Sequence, residues 1–126
     1  MPICVKDMIA AAHAVVPRIT ADEAMKCIAE GDVLIVDVRD SHEVAATGKL
    51  KGAINVSRGM IEFRADAATP YHEPAFQKDR LIIVYCASGG RSALAGKALK
   101  EMGYEKVQNL GAFKDAKEAG IETETA

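Results

Sequence analysis

Residues 81–92 have the sequence LIIVYCASGGRS, which changes character halfway along. The first half, residues 81–85, is an unbroken run of aliphatic and aromatic side chains. Such runs are typical of strands that are buried on both faces of a parallel sheet. The second half consists of small residues around Cys86 and Arg91, and it leads into a predicted helix over residues 92–102. A buried strand that passes through a tight loop into a helix predicts an α/β fold.

The same alternation of strand and helix extends in both directions from this stretch. Residues 33–38, VLIVDV, form a second apolar run, and Thr20 with Glu23 forms a capping box that predicts a helix over residues 21–30. The alternation predicts a parallel sheet with helices on both of its faces. The predicted strands cover residues 18–19, 33–38, 53–56, 81–85 and 107–110, and the predicted helices cover residues 3–16, 21–30, 58–65, 92–102 and 113–119.

Two internal segments and the end of the chain lack these patterns. Residues 39–48 are polar and end at a glycine, and no strand or helix is predicted for them. Residues 66–79 contain two prolines and are predicted to be a loop. The final residues are acidic and are predicted to fray. We therefore expect an N-terminal helical extension (1–17), one α/β domain (18–120) and an acidic tail (121–126), and this length is typical of a single domain.

Composition argues against several classes of protein. The chain of 126 residues has 16 basic and 18 acidic residues and a net charge of −2, which gives no reason to expect binding to nucleic acid or to an anionic membrane. Its three cysteines form no C-x-x-C pair, so we predict neither a disulfide framework nor a metal site. The sequence has no signal-peptide pattern and no apolar segment of membrane-spanning length, so we expect a cytoplasmic protein.

The loop that follows residues 81–85 carries the chemical signal. Cys86 ends a buried strand and precedes a helix, where backbone N–H groups converge and the helix dipole adds positive potential. Gly89 and Gly90 permit the positive φ angles of a tight anion-binding turn, Arg91 adds a charge, and Ser92 can cap the helix. These features favour the thiolate, so we predict a lowered pKa and a nucleophilic role for Cys86. The alternative is an ordinary strand-end cysteine followed by a Gly-Gly turn.

Four segments, taken in order, resemble segments of the rhodanese family. They are Asp37-Val38-Arg39 with Glu43, residues 48–55 (GKLKGAIN), the loop pattern Cys86-x-x-Gly-x-Arg-Ser, and Gly111-Ala112-Phe113 with Ala119-Gly120. Together they extend over most of the chain. Lys49 and Ala116 stand where the family usually has histidine and tryptophan. Ala87 and Ser88 are uncharged, whereas the better thiosulfate users of the family carry basic residues there.

The resemblance implies a three-layer α/β/α rhodanese-like domain with a five-stranded parallel sheet. It also implies a sulfurtransferase, in which the Cys86 thiolate takes a sulfane sulfur from thiosulfate or a persulfide donor. The resulting Cys86 persulfide would pass its outer sulfur to a thiol or to cyanide, and no cofactor would be needed. A sulfur-relay protein or a second copy of the chain are the larger partners to consider.

The predicted site residues form three groups. The substrate-binding residues are Ala87, Ser88, Gly89, Gly90, Arg91 and Ser92, which follow the catalytic Cys86. Asp37, Arg39 and Glu43 would support the loop from the end of the strand at residues 33–38, Glu43 by pairing with Arg91, although Asp37 and Arg39 could instead serve fold stability alone. Arg58 and Arg64 would lie at the rim of the pocket and attract an anionic donor, or they would be solvated surface arginines.

Two other functions compete with sulfur transfer. The first is a non-catalytic binding or sensor module on the same fold, although inactive members of the family usually lack the cysteine. The second is a phosphatase or an arsenate reductase. Tyrosine phosphatases place five residues between their cysteine and arginine, whereas only four separate Cys86 from Arg91. The shorter loop suits a single sulfur atom better than a tetrahedral phosphate.

Overall fold

The structure, a computed structural model, describes residues 2–126. The helices are α1 (Val5–Val15), α2 (Ala21–Glu30), α3 (Ser41–Thr47), α4 (Ile61–Ala65), α5 (Gly90–Glu101) and α6 (Phe113–Glu118), and a 3-10 turn (Arg58–Met60) precedes α4. The strands are β1 (Val33–Asp37), β2 (Lys49–Leu50), β3 (Ile54–Asn55), β4 (Leu81–Cys86), β5 (Val107–Ala112) and β6 (Thr123–Glu124).

Four parallel strands form the main sheet, in the order β3-β1-β4-β5. The two long apolar runs of the sequence are its central strands, β1 and β4, because only central strands are covered on both edges and both faces. The predicted α/β architecture is confirmed, but the prediction of a fifth strand is wrong. The segment expected to form it makes a single parallel bridge, between Arg18 and Asn109. Pro17 offers a carbonyl but no N–H, so the ladder does not extend.

Alternate residues of the central strands build a separate apolar core on each face of the sheet. In β4, Val84 and Cys86 point into one core, whereas Ile83 and Tyr85 point into the other. The first core is covered by α4 and α5, and the second by α2 and α6. Cys86 therefore lies on the same side of the sheet as α5.

Capping boxes determine where two of the helices begin. Thr20 and Glu23 exchange the two predicted hydrogen bonds at the start of α2. Helix α3 lies within residues 39–48, for which the sequence analysis predicted no helix. Asp40 and Glu43 form a second capping box at its start, and the spacing Asp-x-x-Glu is the signal for it.

The last residues of the chain belong to the fold. Strand β6 pairs with β2 in an antiparallel ladder, and Glu124 accepts a hydrogen bond from the ammonium of Lys49. Ile121 is buried in the core formed with α2 and α6. The prediction that the tail frays is therefore wrong for residues 121–124, because one buried apolar side chain and a short ladder hold them in place.

Helix α1 packs along α5. Ala12 and Val16 are buried in this contact, and a methyl group added to Gly96 of α5 would lie only 3.0 Å from Val16. The glycine therefore permits the close approach of the two segments. Within residues 2–126, no helix combines the length and the apolar character that crossing a bilayer requires.

Candidate active site

Cys86 is the last residue of β4, and the chain turns sharply after it into α5. The turn requires glycine at position 89, since its φ is +101° and an added methyl group would lie 3.4 Å from Gly111. Gly89 is the residue that precedes the first turn of α5. The helix starts at Gly90, two residues earlier than predicted, so Ser92 lies inside the first turn and does not cap it.

Polar donors surround the Cys86 sulfur. The backbone N–H of Gly89 donates to Sγ at 3.0 Å, and the Ser92 hydroxyl lies 3.4 Å from it. Burial raises the pKa of the Cys86 thiol, but hydrogen bonds from the Ser92 hydroxyl and from the amides of Ser92, Gly89 and Ser88 outweigh burial and bring the pKa below its ordinary value. The loop thus favours the thiolate, as the sequence predicted.

Cys86 is fully buried. Cys86 has 0% of its surface exposed, whereas Ala87 and Ser88 above it are exposed. The sulfur is therefore buried, but it is buried among hydrogen-bond donors and not in hydrocarbon alone.

Arg91 and Glu43 form a two-pronged ion pair beside the loop. The guanidinium donates to both carboxylate oxygens, at 2.7 and 2.9 Å. Oε2 of Glu43 also accepts from the backbone N–H of Asp40, at 2.9 Å. The hydrogen bonds from Arg91 and Asp40 lower the pKa of Glu43 to about 2. The carboxylate thus ties α3 to the start of α5 and compensates most of the positive charge that Arg91 was expected to bring.

Asp37 and Arg39 form a second ion pair, which is buried away from the sulfur. Arg39 donates to both carboxylate oxygens of Asp37, and its guanidinium lies 4.3 Å from the centre of the Phe113 ring. Tyr85 and Phe113 belong to the core on the face opposite Cys86. Asp37 and Arg39 therefore lie on the face of the sheet opposite Cys86, and within residues 2–126 no hydrogen bond joins their side chains to residues 86–92.

The two arginines expected at the pocket rim lie in different places. Arg64 lines a polar cavity of about 320 Å³ at the carboxyl ends of β1 and β3. Its Nε is buried without a hydrogen-bond partner, and only one of its terminal nitrogens approaches Glu73, at 3.5 Å. Arg58 instead pairs with Glu62 at 2.9 Å and lines a groove between α1 and α5. Cys86 does not line either space, but β4 ends beside β1 at the same edge of the sheet.

Asn109 contacts the loop at residues 86–92, although the sequence analysis assigned it no role. It is fully buried in β5 and accepts from the Ser92 hydroxyl at 2.8 Å. Its Nδ2 donates to the carbonyl of Gly89 at 3.3 Å. Asparagine is uncommon inside strands, so its presence in the predicted strand at residues 107–110 (VQNL) was the available signal.

The family model described as "Rhodanese-like domain" matches residues 20–119. These residues include the strands of the main sheet, the loop at residues 86–92 and the Arg91–Glu43 pair. The chain therefore belongs to the rhodanese-like domain family.

Several curated proteins are similar in sequence to part of the chain. A sulfurtransferase from Allochromatium vinosum is 35% identical over 79 residues, which are 63% of this chain and 65% of that protein. Thiosulfate sulfurtransferase PspE from Escherichia coli is 36% identical over 66 residues, 52% of this chain and 58% of that protein. A tRNA uridine(34) hydroxylase from Ehrlichia ruminantium is 30% identical over 83 residues, 66% of this chain and 30% of that protein. The chain thus spans less than two thirds of each relative.

A solved structure extends the similarity to nearly the full chain. A Rhodopseudomonas palustris protein of unknown function, described as a possible tyrosine phosphatase, has a TM-score of 0.89 and 36% identity, and the match covers 98% of this chain and 96% of that one. The human single-domain sulfurtransferase TSTD1 has a TM-score of 0.70 at 24% identity, covering 82% of this chain and 96% of that one, and supports the fold alone.

Titration of the thiol tests the hydrogen bonds to Sγ. We expect Cys86 to ionise below about 8.5, the ordinary value for a cysteine thiol, and Ser92→Ala to raise the midpoint because it removes the largest of the stabilising hydrogen bonds. The measurement is the ultraviolet absorbance of the thiolate against pH, with Cys86→Ser subtracted to remove the other two cysteines. A midpoint at or above the ordinary value would contradict the assignment.

Proposed function

We propose that the chain is a sulfurtransferase that carries a transferable sulfur on Cys86 as a persulfide. The observation that carries the proposal is the placement of N–H and O–H donors around the Cys86 sulfur at the carboxyl end of β4. Donors in this position stabilise a negative sulfur, whether it belongs to the thiolate or to a bound persulfide. Membership of the rhodanese-like family supports the same chemistry.

In the first half-reaction the Cys86 thiolate attacks the outer sulfur of the donor. With thiosulfate, the S–S bond of the donor breaks and sulfite leaves with the electron pair. A new S–S bond joins the transferred sulfur to Cys86, and the negative charge moves to the outer sulfur. The loop amides that held the thiolate are then close enough to hold the persulfide anion, so the charge is never left unpaired.

In the second half-reaction a nucleophilic acceptor attacks the outer sulfur. Cyanide would leave as thiocyanate, and a thiolate would leave as a new persulfide. The S–S bond to Cys86 breaks, and its electron pair returns to the Cys86 thiolate. Donors and acceptors thus alternate at one sulfur atom, which predicts ping-pong kinetics.

The Arg91–Glu43 pair gives the loop its orientation. Arg91 is the second residue of α5, and the two-pronged pair fixes its side chain to α3 across the mouth of the turn. Because the carboxylate compensates the guanidinium, Arg91 acts less as a free charge for the substrate than as an anchor for the first turn of α5. We infer that Glu43 supports turnover by holding that turn in place.

The cavity that contains Arg64 supports an anionic donor. A guanidinium with an unpartnered Nε gains a hydrogen bond when an anion binds, which offsets the cost of its burial. Ser41 and Ser57 line the same cavity and can donate from their hydroxyls. Asp40 also lines the cavity, but its carboxylate caps the first turn of α3. Thiosulfate and sulfur donors that carry a carboxylate are therefore the classes that we propose for this set of residues.

Phosphatase activity is the competing proposal, since the Rhodopseudomonas palustris neighbour is described as a possible tyrosine phosphatase. The loop of this chain has four residues between Cys86 and Arg91, and Arg91 is already bonded to Glu43 through both prongs. A phosphate monoester would need that guanidinium to be free to bind its oxygens. The geometry therefore favours transfer of a single sulfur atom.

Mass spectrometry of the intact protein tests the central claim. After incubation with thiosulfate, 3-mercaptopyruvate or glutathione persulfide, we expect a mass increase of one sulfur atom on Cys86, which cyanide then removes. The matched control is Cys86→Ser, which keeps a small polar side chain but has no thiol. If no donor adds sulfur to the wild-type chain, or if Cys86→Ser gains it equally, the proposal fails.

The same protein samples test whether the chain is a phosphatase instead of a sulfurtransferase. We expect no release of phosphate from p-nitrophenyl phosphate above the level of Cys86→Ser. Cys86-dependent phosphate release, with no sulfur uptake from any of the three donors, would assign the chain to the phosphatase class.

Replacing Glu43 tests the anchor. Glu43→Gln keeps a side chain that can cap α3 but removes the charge that pairs with Arg91, so we expect sulfur transfer to slow about tenfold, the effect of losing one charge-assisted hydrogen bond. The measurement is steady-state turnover with the best donor of the panel. Glu118→Gln, an exposed acidic residue at the end of α6, is the matched control. Turnover equal to that of the wild type would remove this role from Glu43.

Replacing Arg64 tests the class of donor. We expect Arg64→Gln to raise the KM for an anionic donor about tenfold and to leave kcat nearly unchanged, because the guanidinium contacts the anionic group and not the reacting sulfur. Lys117→Gln removes the same charge from an exposed site on α6. An equal rise in KM for both variants would indicate general surface charge, and no rise for Arg64→Gln would remove the cavity from the donor site.

A further inference from the structure

Asn109 connects the catalytic loop to the neighbouring strand. Its side chain has no exposed surface and makes hydrogen bonds to three groups. Oδ1 accepts from the Ser92 hydroxyl at 2.8 Å and from the N–H of Gly111 at 3.0 Å. Nδ2 donates to the carbonyl of Gly89 at 3.3 Å. Two of these partners, Ser92 and Gly89, are the residues that themselves donate to the Cys86 sulfur.

The backbone of Asn109 is held from the other side by the segment between α1 and α2. Its N–H donates to the carbonyl of Pro17 at 2.9 Å, and its carbonyl accepts from the N–H of Ile19 at 3.1 Å. The Arg18 Nε donates to the same carbonyl at 3.1 Å. A side chain on so constrained a backbone loses little conformational entropy when it orients its partners, which is the condition for preorganisation.

The Ser92 hydroxyl has one proton and three acceptors within reach. Asn109 Oδ1 is the nearest, at 2.8 Å, followed by the Gly89 carbonyl at 3.2 Å and the Cys86 sulfur at 3.4 Å. The distances indicate that the Ser92 hydroxyl donates to Asn109 Oδ1 when the sulfur is uncharged. When Cys86 ionises, rotation about the C–O bond of Ser92 turns the proton to the sulfur without moving any heavy atom.

Asn109 does not become unsatisfied when it loses the hydrogen bond from Ser92. Its Oδ1 keeps the hydrogen bond from Gly111, so no buried acceptor is left without a partner. The exchange therefore costs little free energy, and it stabilises the thiolate by a hydrogen bond that the thiol does not receive.

We propose that Asn109 is a positioning residue for sulfur transfer, which holds the Ser92 hydroxyl and the Gly89 peptide where both can donate to the ionised Cys86 sulfur. The proposal rests on the proposed function in taking Cys86 as the reacting atom. Asn109 itself touches neither the sulfur nor the substrate. Its effect reaches the sulfur through Ser92 and Gly89.

The other charged groups near the loop are paired with each other or lie on its outer side, so they do not donate to the Cys86 sulfur in place of Ser92 and Gly89. Arg91 of α5 is paired with Glu43 of α3, and Asp37 of β1 is paired with Arg39 on the opposite face of the sheet. His13 of α1 and Arg18 line a cavity on the outer side of residues 88–90. The hydrogen bonds of Ser92 and the loop amides are thus the contacts through which Asn109 can alter ionisation of Cys86.

The test is the pH midpoint of the Cys86 thiolate in Asn109→Ala and Asn109→Asp. We expect both midpoints to rise by about one pH unit, which is a tenfold loss of thiolate below the midpoint. Alanine at position 109 no longer holds either donor, and a carboxylate there keeps the hydrogen bond from the Ser92 hydroxyl for itself. In the Ser92→Ala background the shift caused by Asn109→Ala should shrink, since Asn109 acts in part through that hydroxyl. Gln108→Ala, the adjacent amide of β5, is the matched control and should titrate like the wild type.

Each outcome decides the proposal, with circular dichroism used to verify folding. Folded Asn109 variants that titrate at the wild-type midpoint would overturn it, as would an undiminished shift in the Ser92→Ala background. If Asn109→Ala fails to fold, the nearly isosteric Asn109→Asp gives the answer. The titration uses no sulfur donor. A shifted midpoint in a protein that takes up no sulfur would therefore refute sulfur transfer, but it would still show that Asn109 holds the donors to the Cys86 sulfur.

Discussion

The structure around the candidate site depends on the hydrogen bonds to the buried Cys86 sulfur. An ionised sulfur removed from water is costly unless donors replace the water. The donors here are backbone N–H groups and one hydroxyl, and backbone groups converge on one point only if the chain turns tightly. Gly89 makes that turn possible, β4 brings the sulfur to the edge of the sheet, and the first turn of α5 brings Ser92 to the sulfur.

The two faces of the sheet carry two different polar arrangements. On one face, Asp37 and Arg39 satisfy each other in a buried pair beneath Phe113, and breaking such a pair leaves an uncompensated charge. On the other face, Cys86 and Ser92 form a polar cluster next to the apolar core. Because side chains alternate along each strand, the two arrangements lie on opposite faces of the sheet although β1 and β4 are neighbours in it.

The size of the loop and the pairing of its arginine together define what the site can hold. Four residues between Cys86 and Arg91 enclose a small space, and Glu43 occupies the guanidinium that a phosphate would need. Binding energy for a larger donor must then come from outside the loop. The cavity at the ends of β1 and β3, with the incompletely bonded Arg64, is the neighbouring space that can supply it.

Local patterns in the sequence were sufficient for the two central strands, for most of the helices and for singling out Cys86 as the candidate nucleophile. The apolar runs define β1 and β4, the Thr20–Glu23 spacing defines α2, and a cysteine before two glycines marks the loop, because each signal lies within a few residues. Long-range packing decided the rest. The missing fifth strand, the ordered tail and the contact from Asn109 to Ser92 depend on which distant segments meet, and no local pattern records that. A strand buried on both faces can be recognised from its own residues, whereas the partner of a buried polar side chain is known only when the chain has folded around it.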